Sequence, residues 1–195
     1  MLADKLRNHN VILASQSPRR NSLLNELGIN FSVAEDHNLD ETYPSHLNKF
    51  QIPVYLSELK SQSYGELKEN DILITADTIV WMVDHVINKP SDFNDAVKIL
   101  SRLSGNMHEV ITGVTLRTFS RLHSFYSHTE VYFANLSDAE INYYLKTFKP
   151  YDKAGAYGIQ EWIGYVAIEK INGSYFNVMG LPVQKLYRVL KEFII

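Results

Sequence analysis

Apolar and polar positions along the chain alternate between the short period of strands and the longer period of helices. Val11–Ala14 is an unbroken apolar run, which predicts a short buried strand. Ser17 then supplies a helix N-cap, Pro18 sits at the first helical position, and Gly28 supplies the stop. A second strand is expected at Phe31–Ala34, a polar, turn-rich stretch over Leu39–Pro53, and a helix over Val54–Tyr64. The strongest strand signal is Ile72–Val83, ILITADTIVWMV, almost wholly apolar and β-branched, as in a central strand covered on both faces. Ser91-Asp92 caps a helix whose apolar stripe is Phe93, Ala96, Val97 and Leu100, closed by Gly105. His108–Phe119 and Leu122–Ala134 read as long strands joined in a hairpin through Ser120-Arg121. Ser137 and Glu140 form a capping box, a last strand is expected near Tyr165–Ile171, and a final helix starts near Pro182. Strands and helices alternate without strict order. That predicts an α/β fold with a mixed sheet and helices around it.

Composition narrows the class. The 195 residues suit one α/β domain, 1–195, folded in two lobes around a cleft. Apolar residues make up 45% and charged residues 21%, enough to bury a core, and no apolar run is long enough to span a bilayer. Met1–Asn10 is polar and lacks the pattern of a secretory signal. Cysteine is absent, which rules out disulfides, thiolate metal sites and a cysteine nucleophile and suits a reducing, cytoplasmic location. A net charge of −3 argues against direct nucleic-acid binding, which needs a basic face. It leaves room for a nucleotide enzyme, which needs only a few cations in a cleft.

Two stretches concentrate chemistry. Ser15-Gln16-Ser17-Pro18-Arg19-Arg20 lies between a buried strand and a helix start, where backbone N–H groups and the helix dipole favour an anion. Two arginine forks suit phosphate oxygens. The plain alternative is a capped surface helix, but basic residues there oppose the dipole unless an anion is bound. Asp77-Thr78 lies inside the apolar strand, where an unpaired carboxylate would be costly, so Asp77 needs a cation, a metal or donors. It reads as a metal ligand or a water-activating base, against the alternative of an Asp exposed at a strand bend. Asp40-Glu41, Lys60, Lys89-Pro90 and Gln160 are weak signals taken singly, since such residues are usually at the surface. Small residues and two glycines in Asp152–Gln160 mark a tight backbone path that turns sharply or lies against a ligand, whereas Asn172-Gly173 reads as a plain turn.

Taken together, LASQSPRR at Leu13–Arg20, LDE at Leu39–Glu41, TADTIV at Thr75–Val80, NKP at Asn88–Pro90, LSG at Leu103–Gly105, ITGV at Ile111–Val114, DKAGAYGIQ at Asp152–Gln160 and INGSY at Ile171–Tyr175 resemble the Maf-like nucleotide pyrophosphatases. The resemblance runs almost end to end. It implies a mixed, twisted sheet with flanking helices, two lobes around a deep nucleotide-binding cleft, a divalent metal, and hydrolysis at the α-phosphorus. It also implies roles: Asp77 as proton acceptor, with Ser15, Arg20, Glu41, Lys60 and Lys89 as further active-site positions. Arg19, Thr78 and Gln160 match positions tied to substrate choice, and AGAYGIQ resembles the dTTP/UTP subgroup. A homodimer is favoured by the same resemblance. Three departures are mild: Gln16 replaces a frequent glycine, and Ser57 and Ser61 flank Lys60 where alanines are commoner.

The mechanism expected from these residues has Arg20, Lys60 and Lys89 holding the phosphates while Glu41 and Asp77 bind Mg²⁺ or Mn²⁺. Gln160 offers an acceptor and a donor matching N3–H and O4 of uracil or thymine. Two other readings stay open at this level. One is a house-cleaning pyrophosphatase for modified pyrimidine nucleotides such as 5-methyl-UTP or pseudouridine triphosphate. The other is a non-catalytic regulator of cell division.

Overall fold

A computed structural model describes residues 1–34 and 41–194, so Leu39 and Asp40 of the LDE stretch lie outside the described residues. The strands are β1 (Asn10–Ala14), β2 (Ser32–Ala34), β3 (Asp71–Met82), β4 (His85–Ile87), β5 (Met107–Arg117), β6 (Leu122–Phe133) and β7 (Ile168–Asn172). The helices are α1 (Leu2–Lys5), α2 (Pro18–Glu26), α3 (Gln51–Ser63), α4 (Phe93–Leu103), α5 (Asp138–Phe148), α6 (Trp162–Val166), α7 (Tyr175–Met179) and α8 (Val183–Phe193). The seven strands form one sheet in the order β2-β1-β3-β5-β6-β7, with β4 paired to β3. β1 runs parallel to both β2 and β3, whereas β3–β4 and β6–β7 are antiparallel. The fold is therefore α/β with a mixed sheet flanked by helices. β3 is buried at nearly every position, as its apolar run predicts. Among the described residues no helix is long and apolar enough to cross a membrane.

By internal contacts the chain divides into two compact units. The first comprises Met1–Asp77, Thr112–Ser127 and Gly180–Ile195, and the second Thr78–Ile111 and His128–Met179. In the first unit α3 lies so close to β5 that a Cβ on Gly113 would stand 2.2 Å from the Pro53 carbonyl oxygen. The glycine of the ITGV stretch thus sets how closely the helix carrying Lys60 approaches the strand. Beneath that helix the Thr75 hydroxyl donates to the Ser57 carbonyl at 2.6 Å, and the Ser57 and Thr115 hydroxyls pair at 2.8 Å.

The second unit is built on an apolar core that includes Val80, Leu100, Val131, Phe133, Tyr144 and Ile163. α4 is capped by Asp92, whose side chain accepts from the Asp95 N–H, and α5 by the expected Ser137–Glu140 box. One expectation is corrected here: Tyr165 and Val166 are helical, in α6, and β7 begins only at Ile168. The Gly164 N–H donates to the Glu161 carbonyl and the Ala167 N–H to the Ile163 carbonyl, each at 2.9 Å, which closes a short helix over residues whose apolar pattern fits either element.

His108 is buried in this core, with its ring edge against Phe133 and Tyr157 and Nε2 2.8 Å from the Tyr157 hydroxyl. Burial lowers its pKa from 6.5 to about 4. The unfolded chain therefore takes up a proton near pH 6.5 that the native state refuses until about pH 4. Stability falls as pH drops through that window, by about 3 kcal/mol in all. His108→Gln is expected to flatten the loss. Urea midpoints at pH 7.5 and 4.5 check it, and an equal acid sensitivity in both proteins contradicts it.

Candidate active site

Three elements of the first unit bring charged groups to one point. Lys60 is on the last turns of α3, Asp77 lies in β3, and Glu41 opens the segment that leads to α3. Lys60 Nζ stands 2.7 Å from Asp77 Oδ1 and 2.7 Å from Glu41 Oε1. Lys60 and Asp77 are buried, at 8% and 7% exposure, while the Glu41 side chain is 45% exposed. Asp77 is thus not the exposed strand-bend residue of the plain alternative. Burial, and Arg20 nearby, pull the Lys60 pKa down; attraction to Asp77 and hydrogen bonds to Asp77 and Glu41 outweigh them, so the net shift is upward and the ammonium stays charged.

The junction from β1 to α2 builds the second part. The Ser15 hydroxyl accepts from the Ser17 N–H at 3.3 Å and from Arg20 Nη1 at 3.2 Å. Arg20 Nε donates to the Gly180 carbonyl at 2.8 Å. This guanidinium is therefore braced from two sides, and its charge is felt at Lys60. Ser17 is the N-cap and Pro18 the first helical residue, as expected, but no side chain caps α2 and no acidic residue lies in its first turn. An uncapped helix start with two arginines keeps the electrostatic preference for an anion. Arg19 and Thr78 are half-buried.

Lys89 and Gln160 belong to the second unit. Lys89 is exposed, and its neighbour Asn88 accepts through its carbonyl from the Gly155 N–H at 3.3 Å. The NKP and AGAYGIQ stretches, separate in sequence, are therefore neighbours. Gln160 is half-buried, and its side-chain oxygen is buried without a hydrogen bond in the protein. An orphan acceptor of this kind costs about 1–3 kcal/mol unless a water or a ligand donor reaches it. Sequence reasoning missed the Gly180 carbonyl, because nothing in residue spacing announces a backbone oxygen reached from 160 residues away.

The donor chemistry fits a hard divalent cation. Two carboxylates meeting at one ammonium offer oxygen ligands, the kind Mg²⁺ and Mn²⁺ take. Among the described residues no group of three or more His, Asp or Glu gathers to hold a metal.

Comparison with known proteins adds a consistent picture. The family described as Maf-like protein matches residues 10–193. The dTTP/UTP pyrophosphatase of Parabacteroides distasonis is 49% identical over 98% of this chain and 100% of its own length. That of Phocaeicola vulgatus is 50% identical over the same shares, and that of Porphyromonas gingivalis 45% over 98% of each chain. Likeness to the solved nucleoside-triphosphatase (dITP/XTP pyrophosphatase) of Mycobacterium abscessus is slight. Its TM-score is 0.42 at 12% identity, over 94% of this chain and 98% of the other.

Proposed function

The chain belongs to the Maf-like protein family, and from that premise we propose that it is a nucleoside triphosphate pyrophosphatase acting on dTTP and UTP. The observation that carries the reading is Lys60 held between Asp77 and Glu41 at 2.7 Å from each. A buried cation with two carboxylates is a poor device for simple stability, because desolvating it offsets much of the attraction. It is well suited to a reaction in which negative charge must be received and a water oriented. A purely regulatory binding module has no use for such a group.

In the proposed reaction a water oxygen attacks the α-phosphorus and the bond from that phosphorus to the α–β bridging oxygen breaks. Monophosphate and pyrophosphate leave. Asp77 orients or deprotonates the water, and Lys60 and Arg20 receive phosphate charge. Glu41 and Asp77 would hold a divalent cation, which supplies neutralisation of the triphosphate. Ser15 braces Arg20. Lys89 carries by resemblance a phosphate-holding role, and Arg19 and Thr78 roles in substrate choice. We take residues 1–195 as one catalytic domain, cytoplasmic and homodimeric; the dimer rests on the resemblance and the location on the absence of cysteine.

Gln160 is proposed as the reader of the base. Its buried, unpaired oxygen can accept from N3–H of uracil or thymine, and its amide can donate to O4. Cytosine reverses both groups. A panel of dTTP, UTP, dCTP, dATP, 5-methyl-UTP and pseudouridine triphosphate, assayed for pyrophosphate release with Mg²⁺, is expected to favour the bases presenting N3–H and O4. Gln160→Ala should lower the preference for dTTP over dCTP by at least about tenfold. Comparable kcat/KM on dTTP and dCTP in the unmodified protein contradicts the base-reading role.

A further inference from the structure

We infer that Tyr144 and Glu161 form a clamp on the Gly158–Glu161 turn that fixes the Gln160 side chain and thereby sets base selectivity. The inference rests on the reading of Gln160 as the base-recognising residue. Tyr144 and Glu161 are positioning residues within it.

The turn is closed by the Glu161 N–H donating to the Gly158 carbonyl at 2.9 Å, with Gln160 as its third residue. Tyr144, wholly buried on α5, grips both ends. Its hydroxyl accepts from the Gly158 N–H at 3.0 Å and donates to Glu161 Oε2. The other oxygen, Glu161 Oε1, faces Lys153 Nζ at 3.3 Å, and Lys153 also bonds Asp152 at 2.7 Å. Burial, reinforced by the bond to Glu161, raises the Tyr144 pKa and keeps the phenol a donor. The clamp is thus a chain that runs from exposed Asp152 through Lys153 and Glu161 to buried Tyr144, ending on the Gly158 backbone.

Gly158 ties this chain to the amide. A Cβ there would stand 2.8 Å from Glu161 Cδ, 2.9 Å from its Oε1 and 3.0 Å from Gln160 Nε2. The side chains of residues 160 and 161 therefore both fold back over the bare Gly158 backbone. This matters because a glutamine amide turned by half a rotation exchanges its donor and its acceptor. One orientation matches uracil and thymine, and the reverse matches cytosine. Selectivity then depends on what prevents the turn and its amide from relaxing, as much as on the glutamine itself.

The test is the ratio of kcat/KM for dTTP over dCTP in Tyr144→Phe and in Glu161→Gln, each verified as folded by circular dichroism and thermal melting. Both are expected to lose at least about tenfold of the ratio, with KM for dTTP rising more than kcat falls. Adding Tyr144→Phe to Gln160→Ala should cost little further selectivity, since both act through the same amide. Should one variant not fold, the other decides. A folded variant with a lowered melting temperature but an unchanged ratio overturns the clamp and leaves Tyr144 and Glu161 merely structural. The two levels separate cleanly. If Gln160→Ala itself keeps the original ratio, the base-reading role fails; if it loses the ratio while the clamp variants keep theirs, only the clamp fails.

Discussion

Asp77→Asn is expected to lower kcat for dTTP by about a thousandfold while leaving the protein folded. The amide keeps the size and shape of the carboxyl group, so the packing of β3 is undisturbed. It cannot accept a proton from water at neutral pH, and it is a weak ligand for a divalent cation. Lys60 keeps Glu41 as a partner at 2.7 Å, so the buried ammonium is not left bare. A steady-state assay of pyrophosphate release, with a thermal melt as the control for folding, checks this. Activity within about threefold of the original would remove Asp77 from the chemistry.

Lys60→Met is expected to damage both activity and stability. Methionine keeps most of the length of the unbranched lysine stem but leaves the carboxylate of Asp77, only 7% exposed, without its cation. Losing one member of a buried pair costs about 3–5 kcal/mol. Denaturant unfolding should register a loss of that order, and hydrolysis should fall by at least about a hundredfold. The double variant Asp77→Asn with Lys60→Met is expected to regain part of the stability and none of the activity, because the stranded charge is gone. Additive losses in the double variant would contradict the coupling between the two side chains.

Much of the fold was legible because local signals agreed with tertiary demands. The apolar run Ile72–Val83 marked the most buried strand, and Ser137 with Glu140 marked a capped helix, now α5. The β3–β4 hairpin was not legible. Its two-residue turn is Val83-Asp84, with φ of 47° and 61°, a conformation usually announced by Asn-Gly and one a valine rarely adopts. The end of α6, Tyr165 and Val166, carries an apolar pattern that also fits a strand, and five residues are too few for the helical period to declare itself. At the site, Asp77 stood out as a carboxylate in an apolar strand. Lys60 and Glu41 did not, since a lone lysine and an acidic pair are ordinary surface residues until the chain folds them together. The resemblance picked them out; the 2.7 Å contacts give that choice its physical content. The Tyr144–Glu161 clamp left no signal in the sequence, because its members are spaced by tertiary packing and a backbone N–H completes it.

Hydrolysis of dTTP in ¹⁸O-labelled water with Mg²⁺, followed by ³¹P NMR or mass spectrometry of the products, tests the central claim most directly. Attack at the α-phosphorus predicts label in the monophosphate and unlabelled pyrophosphate. Label in pyrophosphate, release of diphosphate with inorganic phosphate, or no turnover at all would contradict it.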